Sequence, residues 1–330
     1  MILFIAAIVI GLVLLVWSAD RFVDGAVGVA QFLGMSTFLI GMLVVGFGTS
    51  APEMVVSILS AMNNTPQLAL GNAYGSNIAN IALILGATAL IAPVIVKKQA
   101  MSRDIPILLL VTVLTVLLVK DGNVSFSDGA FLMLAFVAVT VLNIGLELKD
   151  RRKRKKAEML DGEIPEVAGP IWKSLLWLVV GLGVLIASSR MLVWGAVGMA
   201  QALGVSDLVI GLTIVAVGTS LPELASSIAA ARRGENDLAV GNVIGSNFFN
   251  TLVVVGIAAV ISPINSMEPA VLSRDVPIMS ALTLLLFLMS FPFLKRKRKK
   301  GGQFGFGRVG GALLLSLYVA YLVLLGIQAA

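Results

Sequence analysis

Apolar residues run along this chain in ten blocks, most of them near the 20 residues of helix that cross roughly 30 Å of hydrocarbon. The expected spans are 2–32, 37–62, 68–91, 104–119 and 126–147, then 171–202, 207–231, 238–261, 273–293 and 309–328. The first and sixth pass from a very apolar stretch into one rich in Gly and Ala, and read either as long tilted helices or as a helix followed by an interfacial piece. The opening run MILFIAAIVIGLVLLVWSAD lacks the positive n-region of a signal peptide and is longer than its usual apolar core, so it is expected to stay as the first helix. The pattern predicts an all-α integral membrane protein with ten transmembrane helices.

Polar positions divide this series into two. The charged stretch LKDRRKRKKAEMLDGEIPEVAGP, residues 148–170, separates residues 1–147 from 171–330, and the two parts repeat each other. Gly25-Ala26-Val27-Gly28 matches Gly195-Ala196-Val197-Gly198, and Gly48-Thr49-Ser50-Ala51-Pro52-Glu53 matches Gly218-Thr219-Ser220-Leu221-Pro222-Glu223. Leu68-Ala69-Leu70-Gly71-Asn72 matches Leu238-Ala239-Val240-Gly241-Asn242, and Gly75-Ser76-Asn77 matches Gly245-Ser246-Asn247, every pair 170 positions apart. Chance similarity between apolar segments does not keep polar residues in register for so long.

Five spans is an odd number, so two such repeats must cross the membrane in opposite senses. The Lys and Arg residues test this separately, because cytoplasmic loops hold an excess of them. With residues 148–170 inside, 21 of the 24 Lys and Arg fall on the cytoplasmic side, leaving Lys120, Arg190 and Arg274 outside. Both termini are then extracytoplasmic, and Lys97, Lys98 and the run Lys295 to Lys300 act as topological anchors beside the lipid bilayer.

Composition narrows the chemistry. Of 330 residues 58% are hydrophobic and 13% charged, too few charges to cover a soluble surface. No Cys and no His are present, which removes thiol nucleophiles, the Ser-His-Asp triad, the usual zinc ligands and disulfides. The net charge of +6 could suggest nucleic acid, but it is concentrated in clusters flanking apolar segments, so no nucleic-acid partner is expected. No phosphate-binding G-x-x-x-x-G-K-[ST] motif occurs, which disfavours an ATP-driven pump; a channel, an enzyme, a cofactor and a protein partner are not expected either.

Among 18 acids, Glu53 and Glu223 alone lie deep within apolar segments, and they are repeat equivalents. A carboxylate at such depth costs at least about 2.5–3.5 kcal/mol on insertion scales, so a matched pair points to a function. Thr49 and Ser50 stand four and three residues before Glu53, on the same helical face, as Thr219 and Ser220 stand before Glu223. Pro52 and Pro222 leave the carbonyls around residues 46–48 and 216–218 able to turn out of their helices. The following helices add Ser76 and Asn80, and Ser246 and Asn250, at i, i+4. Asn72, Asn77, Asn242 and Asn247 sit nearer helix starts, where capping is common, and Gly71/Gly75 and Gly241/Gly245 have the G-x-x-x-G spacing of close helix crossings. Hard oxygens of this kind select Na⁺, Ca²⁺ or Mg²⁺, and two carboxylates balance one Ca²⁺ or two Na⁺.

GTSAPE with GNAYGSNIAN, and GTSLPE with GNVIGSNFFN, resemble the two α-repeats of the cation/calcium exchanger superfamily, particularly its prokaryotic sodium/calcium exchangers. The resemblance covers nearly the whole chain. It implies a cell-membrane antiporter that exchanges Na⁺ for Ca²⁺ by alternating access, its first and sixth helices sliding across a core of eight. The ligands it implies are Glu53 and Glu223, oxygens of Thr49, Ser50, Thr219 and Ser220, the carbonyls of Gly46 and Ala216, and Ser76, Asn80, Ser246 and Asn250. Sodium/calcium exchangers often place an Asp on one of the two later helices, whereas Asn stands at both 80 and 250 here, which leaves H⁺ or K⁺ open as the counter-ion. Residues 148–170 are too few to hold the calcium-sensing domains of animal relatives, so no such regulation is expected.

Overall fold

The computed structural model describes residues 1–96, 103–161, 170–204, 214, 216–290 and 304–329. Helix α1 (Ile2–Leu33) is followed by α2 (Thr37–Thr49) and α3 (Ala51–Met62), which meet at 47°. Then come α4 (Pro66–Ile91), α5 (Ile105–Val119) and α6 (Phe126–Asp161). The second half contains α7 (Ile171–Ala202), the short α8 (Ala216–Thr219), α9 (Leu221–Arg232), α10 (Asn236–Ile261), α11 (Val271–Ser290) and α12 (Arg308–Ala329). Among the described residues seven helices are long and apolar enough to cross a membrane, and the bent pair α2–α3 makes an eighth. The protein is a multi-pass, all-α membrane protein. The expected span 104–119 appears as α5, only 15 residues long. Much of the entry to the expected span 207–231, the end of 273–293, and the anchors Lys97, Lys98 and Lys295 to Lys300 lie outside the described residues.

The outer faces explain the composition. Ile2, Val9, Val13, Leu110, Leu134, Val179 and Val323 are large, apolar and exposed, a surface that water would not tolerate and lipid does. Helices α4 and α10 are the most enclosed, while α1, α6, α7 and α12 mostly face outward. At 32 residues each, α1 and α7 are single unbroken helices, about 48 Å long by rise per residue, so neither is a shorter helix followed by a separate interfacial piece.

Three features depart from the sequence-based expectation. The basic stretch expected as a linker from residue 148 continues helix α6 to Asp161, the last residue described there, because Lys, Arg, Glu, Ala and Leu are good helix formers. Two short strands form an antiparallel ribbon, Val94–Val96 with Phe304–Phe306, too short to read from alternation. The two G-x-x-x-G spacings also behave differently. A Cβ on Gly245 would overlap the Met42 carbonyl oxygen, whereas at Gly71 and Gly75 a Cβ would meet nothing within 4 Å among the described residues.

The repeat is visible in the backbone. Gly34 and Gly204, 170 positions apart, both end long helices with positive φ (60° and 79°), as do Asn64 and Gly234 (59° and 82°) at the ends of α3 and α9. Helices α1 and α7 pack with Ala7 against Gly195, Gly11 against Leu192, Phe22 against Gly181 and Gly25 against Leu178. Rising numbers meet falling ones, so these repeat-equivalent helices run antiparallel.

The halves also interlock. Gly129 of α6 abuts Gly256 of α10, and Gly86 of α4 abuts Gly311 of α12, so the last span of each half packs on the third span of the other. The loops do the same: residues 94–96, after α4, pair with 304–306, before α12, and Ile264, after α10, pairs with Val124, before α6. One apolar core, including Tyr74, Ile81, Leu108, Leu132, Phe248, Leu252 and Leu314, runs through both halves.

Candidate ion-binding site

The bend between α2 and α3 falls on Ser50, whose backbone (φ −84°, ψ 5°) has left the helical basin. Two residues later stands Pro52, which has no N–H to donate and whose ring crowds the carbonyl four residues back. Ser220 (φ −91°, ψ 7°) breaks the second half in the same way before Pro222. Each break creates a helix N-terminus inside an apolar segment, and Glu53 and Glu223 occupy the first turns of α3 and α9. Orphan N–H groups and the positive end of the helix dipole favour a carboxylate there.

The two carboxylates are brought to one region of the protein. Glu53 and Glu223 are 1% and 2% exposed. Ser50 Oγ, from the first half, donates to Glu223 Oε1 of the second at 3.2 Å. Thr49 Oγ1 lies 3.0 Å from the Val45 carbonyl oxygen, 3.4 Å from that of Gly46 and 3.1 Å from Asn242 Oδ1. Ser246 Oγ is 3.5 Å from the Gly46 carbonyl oxygen, which also accepts the Ser50 N–H at 3.0 Å. The Gly46 carbonyl is thus engaged by protein donors. So is that of Gly218, which Ser189 Oγ of α7 reaches at 3.1 Å.

Other oxygens are not engaged. Glu53 Oε2, Glu223 Oε2, Ser220 Oγ and Asn250 Oδ1 are buried with no hydrogen-bond partner among the described residues, and so is Asn80 Nδ2, whose amide presents oxygen there if flipped. Buried polar atoms are nearly always satisfied, and an unpaired buried carboxylate is especially costly. A cation is what would satisfy such a set, and hard oxygen is what Na⁺ and Ca²⁺ require. Asn80 and Asn250 lie near the starts of π-helical stretches, Ala79–Ile84 and Phe249–Val254, where the N–H of Leu85 and of Val255 reaches back five residues to the asparagine's own carbonyl. Such widened turns recur at functional sites.

Of the twelve residues singled out in the sequence, Thr49, Ser50, Glu53, Ser76, Asn80, Ser220, Glu223, Ser246 and Asn250 are buried and Gly46 lies at the α2–α10 crossing. Thr219 is half-buried and Ala216 opens α8. Asn72 and Asn242 do more than cap. Asn242 Nδ2 reaches the Glu223 carbonyl (3.3 Å), Ser226 Oγ (3.1 Å) and Ser227 Oγ (2.9 Å), while Asn72 Nδ2 reaches the Glu53 carbonyl at 3.4 Å. Their matched register was the available signal, and Ser189, in a helix outside the motifs, left none.

Residues 3–145 and 173–326 match the family of sodium/calcium exchanger proteins. The chain is 43% identical over 318 residues to CaxA of Alkalimonas amylolytica, covering 96% of this chain and 97% of that protein. It is 30% identical over 350 residues to the sodium/calcium exchanger MaX1 of Methanosarcina acetivorans, covering 96% and 97%. Its fold is similar to that of the sodium-calcium exchanger NCX_Mj soaked with 2.5 mM Na⁺ and 0.1 mM Ca²⁺, with a TM-score of 0.80, 31% identity and 98% of each chain covered. With its duplicated, bent helices holding paired carboxylates, the chain belongs to the sodium/calcium exchanger family, among its prokaryotic cation/calcium exchangers.

Proposed function

We propose that the protein is a secondary antiporter that exchanges Na⁺ for Ca²⁺ across the cell membrane by alternating access, with both ions bound as cargo between two inverted five-helix repeats. The observation that carries this is the buried pair Glu53 and Glu223, each with an oxygen that no described residue satisfies. Their charge balances one Ca²⁺ or two monovalent cations, so either load leaves the site neutral while an empty site leaves two buried carboxylates without a counter-charge. That difference penalises movement without cargo and couples the two fluxes. Thr49, Ser50, Thr219, Ser220, Ser76, Asn80, Ser246, Asn250 and the carbonyls of Gly46 and Ala216 complete the proposed ligand set. Na⁺ is preferred to H⁺ as counter-ion because a proton needs one oxygen and this site gathers many; MaX1 is itself a sodium/calcium exchanger by name.

The antiparallel packing of α1 on α7 and the distribution of Lys and Arg support ten spans, with 1–147 and 171–330 as the repeats, residues 148–170 cytoplasmic and both termini outside. In proteoliposomes, Na⁺, H⁺ and K⁺ gradients are imposed one at a time. Ca²⁺ uptake should follow the Na⁺ gradient, and Glu223→Gln should cut it by more than about tenfold with its helical spectrum intact, since a neutral amide removes half the charge that binds the ion. Uptake driven by a pH gradient without Na⁺ would replace this reading with H⁺/Ca²⁺ exchange.

A further inference from the structure

Matching stretches of α1 and α7 line two cavities, and these differ. Beside α7 a cavity of about 310 Å³ reaches inward to Pro52, Thr219 and Pro222, next to the carboxylates. Its rim includes Val193, Trp194 and Val197 of α7. Their counterparts on α1, Val23, Asp24 and Val27, line a hollow with Arg233 that reaches none of the site residues. Along the same stretch, Val23, Ala26 and Ala30 of α1 join Ala229, Ala230 and Ala231 of α9 in one buried apolar cluster.

At its edge Arg233 Nε lies 3.3 Å from Asp20 Oδ1, and its Nη1 pairs with Asp24 Oδ1. Arg21 shares Asp24 at 3.7 Å. One guanidinium therefore ties α1 to the turn between α9 and α10. On the matching elements the positions 170 earlier or later than Arg233, Asp20 and Asp24 hold Asn63, Arg190 and Trp194, which cannot form such pairs. We propose that Arg233 with Asp20 and Asp24 is a latch that holds the cytoplasmic approach shut and biases the empty protein toward the conformation open on the opposite side. Opening the cytoplasmic approach must part α1 from α9, and both ion pairs break when it does. Exposed ion pairs are individually weak, so the latch sets a bias of a few-fold and leaves the equilibrium movable by ions.

This rests on the proposed alternating access, and the test separates the two. The chain has no cysteine, so Ala19→Cys supplies a single thiol at a residue 1% exposed, one residue before Asp20 and so on the membrane side of the latch. Inside-out vesicles are treated with a membrane-impermeant thiol reagent, and Ca²⁺ exchange is measured in the same preparation. Arg233→Gln should raise the labelling rate by about three- to tenfold, the few-fold scale of exposed pairs. Asp24→Arg with Arg233→Asp should bring it back toward the parent. If Arg233→Gln does not insert, Asp20→Asn with Asp24→Asn is read in its place. An unchanged labelling rate with exchange intact would overturn the latch alone, whereas a raised rate without Na⁺-driven Ca²⁺ flux would support the latch and remove the exchange reading.

Discussion

Among the described residues, Asn242 reaches four polar groups in the buried site, one of them the hydroxyl of Thr49 from the opposite half, while its counterpart Asn72 reaches one. Repeat symmetry alone predicts equal effects of mutation, and this geometry does not. Asn242→Ala strands several buried partners, each costing about 1–3 kcal/mol, so it should lower the melting temperature in detergent and exchange activity more than Asn72→Ala does. Equal losses would show that the asymmetry is unimportant. The carboxylates, hydroxyls and prolines were legible because a bilayer penalises them, so their presence demands a reason. The role of the asparagines was not, since a capping Asn and one that braces a neighbouring helix have the same sequence signature until the crossing is seen.

At the level of elements, the Pro-induced bends and the ten apolar blocks could be read from the sequence, while the π turns and the choice of helix neighbours could not. A π turn depends on one extra residue accommodated by tertiary packing, and apolar side chains suit any neighbour of matching shape. The glycine spacings show the same limit. Gly245→Ala drives a methyl into the Met42 carbonyl, and overpacking of this kind costs about 1–3 kcal/mol. Gly75→Ala, at the equivalent position, meets open space among the described residues and should be nearly neutral. Thermal unfolding of the two variants side by side checks this, and equal shifts would contradict the packing described.

For the whole molecule, the duplication was plain from the 170-residue register, but the contacts between its halves were not. The exchanged contacts, Gly129 on Gly256 and Gly86 on Gly311, make the two halves interdependent. Residues 1–161 expressed alone should therefore fail to give a monodisperse, cooperatively melting protein, and co-expression with residues 162–330 should restore one; a stable isolated half would refute this. The same interlock bears on how the protein is made. Residue 256 leaves the ribosome 95 residues after the end of α6, a delay of about 5–20 s at ordinary elongation rates. Throughout that interval the first half waits in the bilayer with the Gly129 seam of α6 covered only by lipid or by the insertion machinery. Assembly of this transporter is thus timed by translation, and its earliest helices are the ones that need a chaperoned environment for longest.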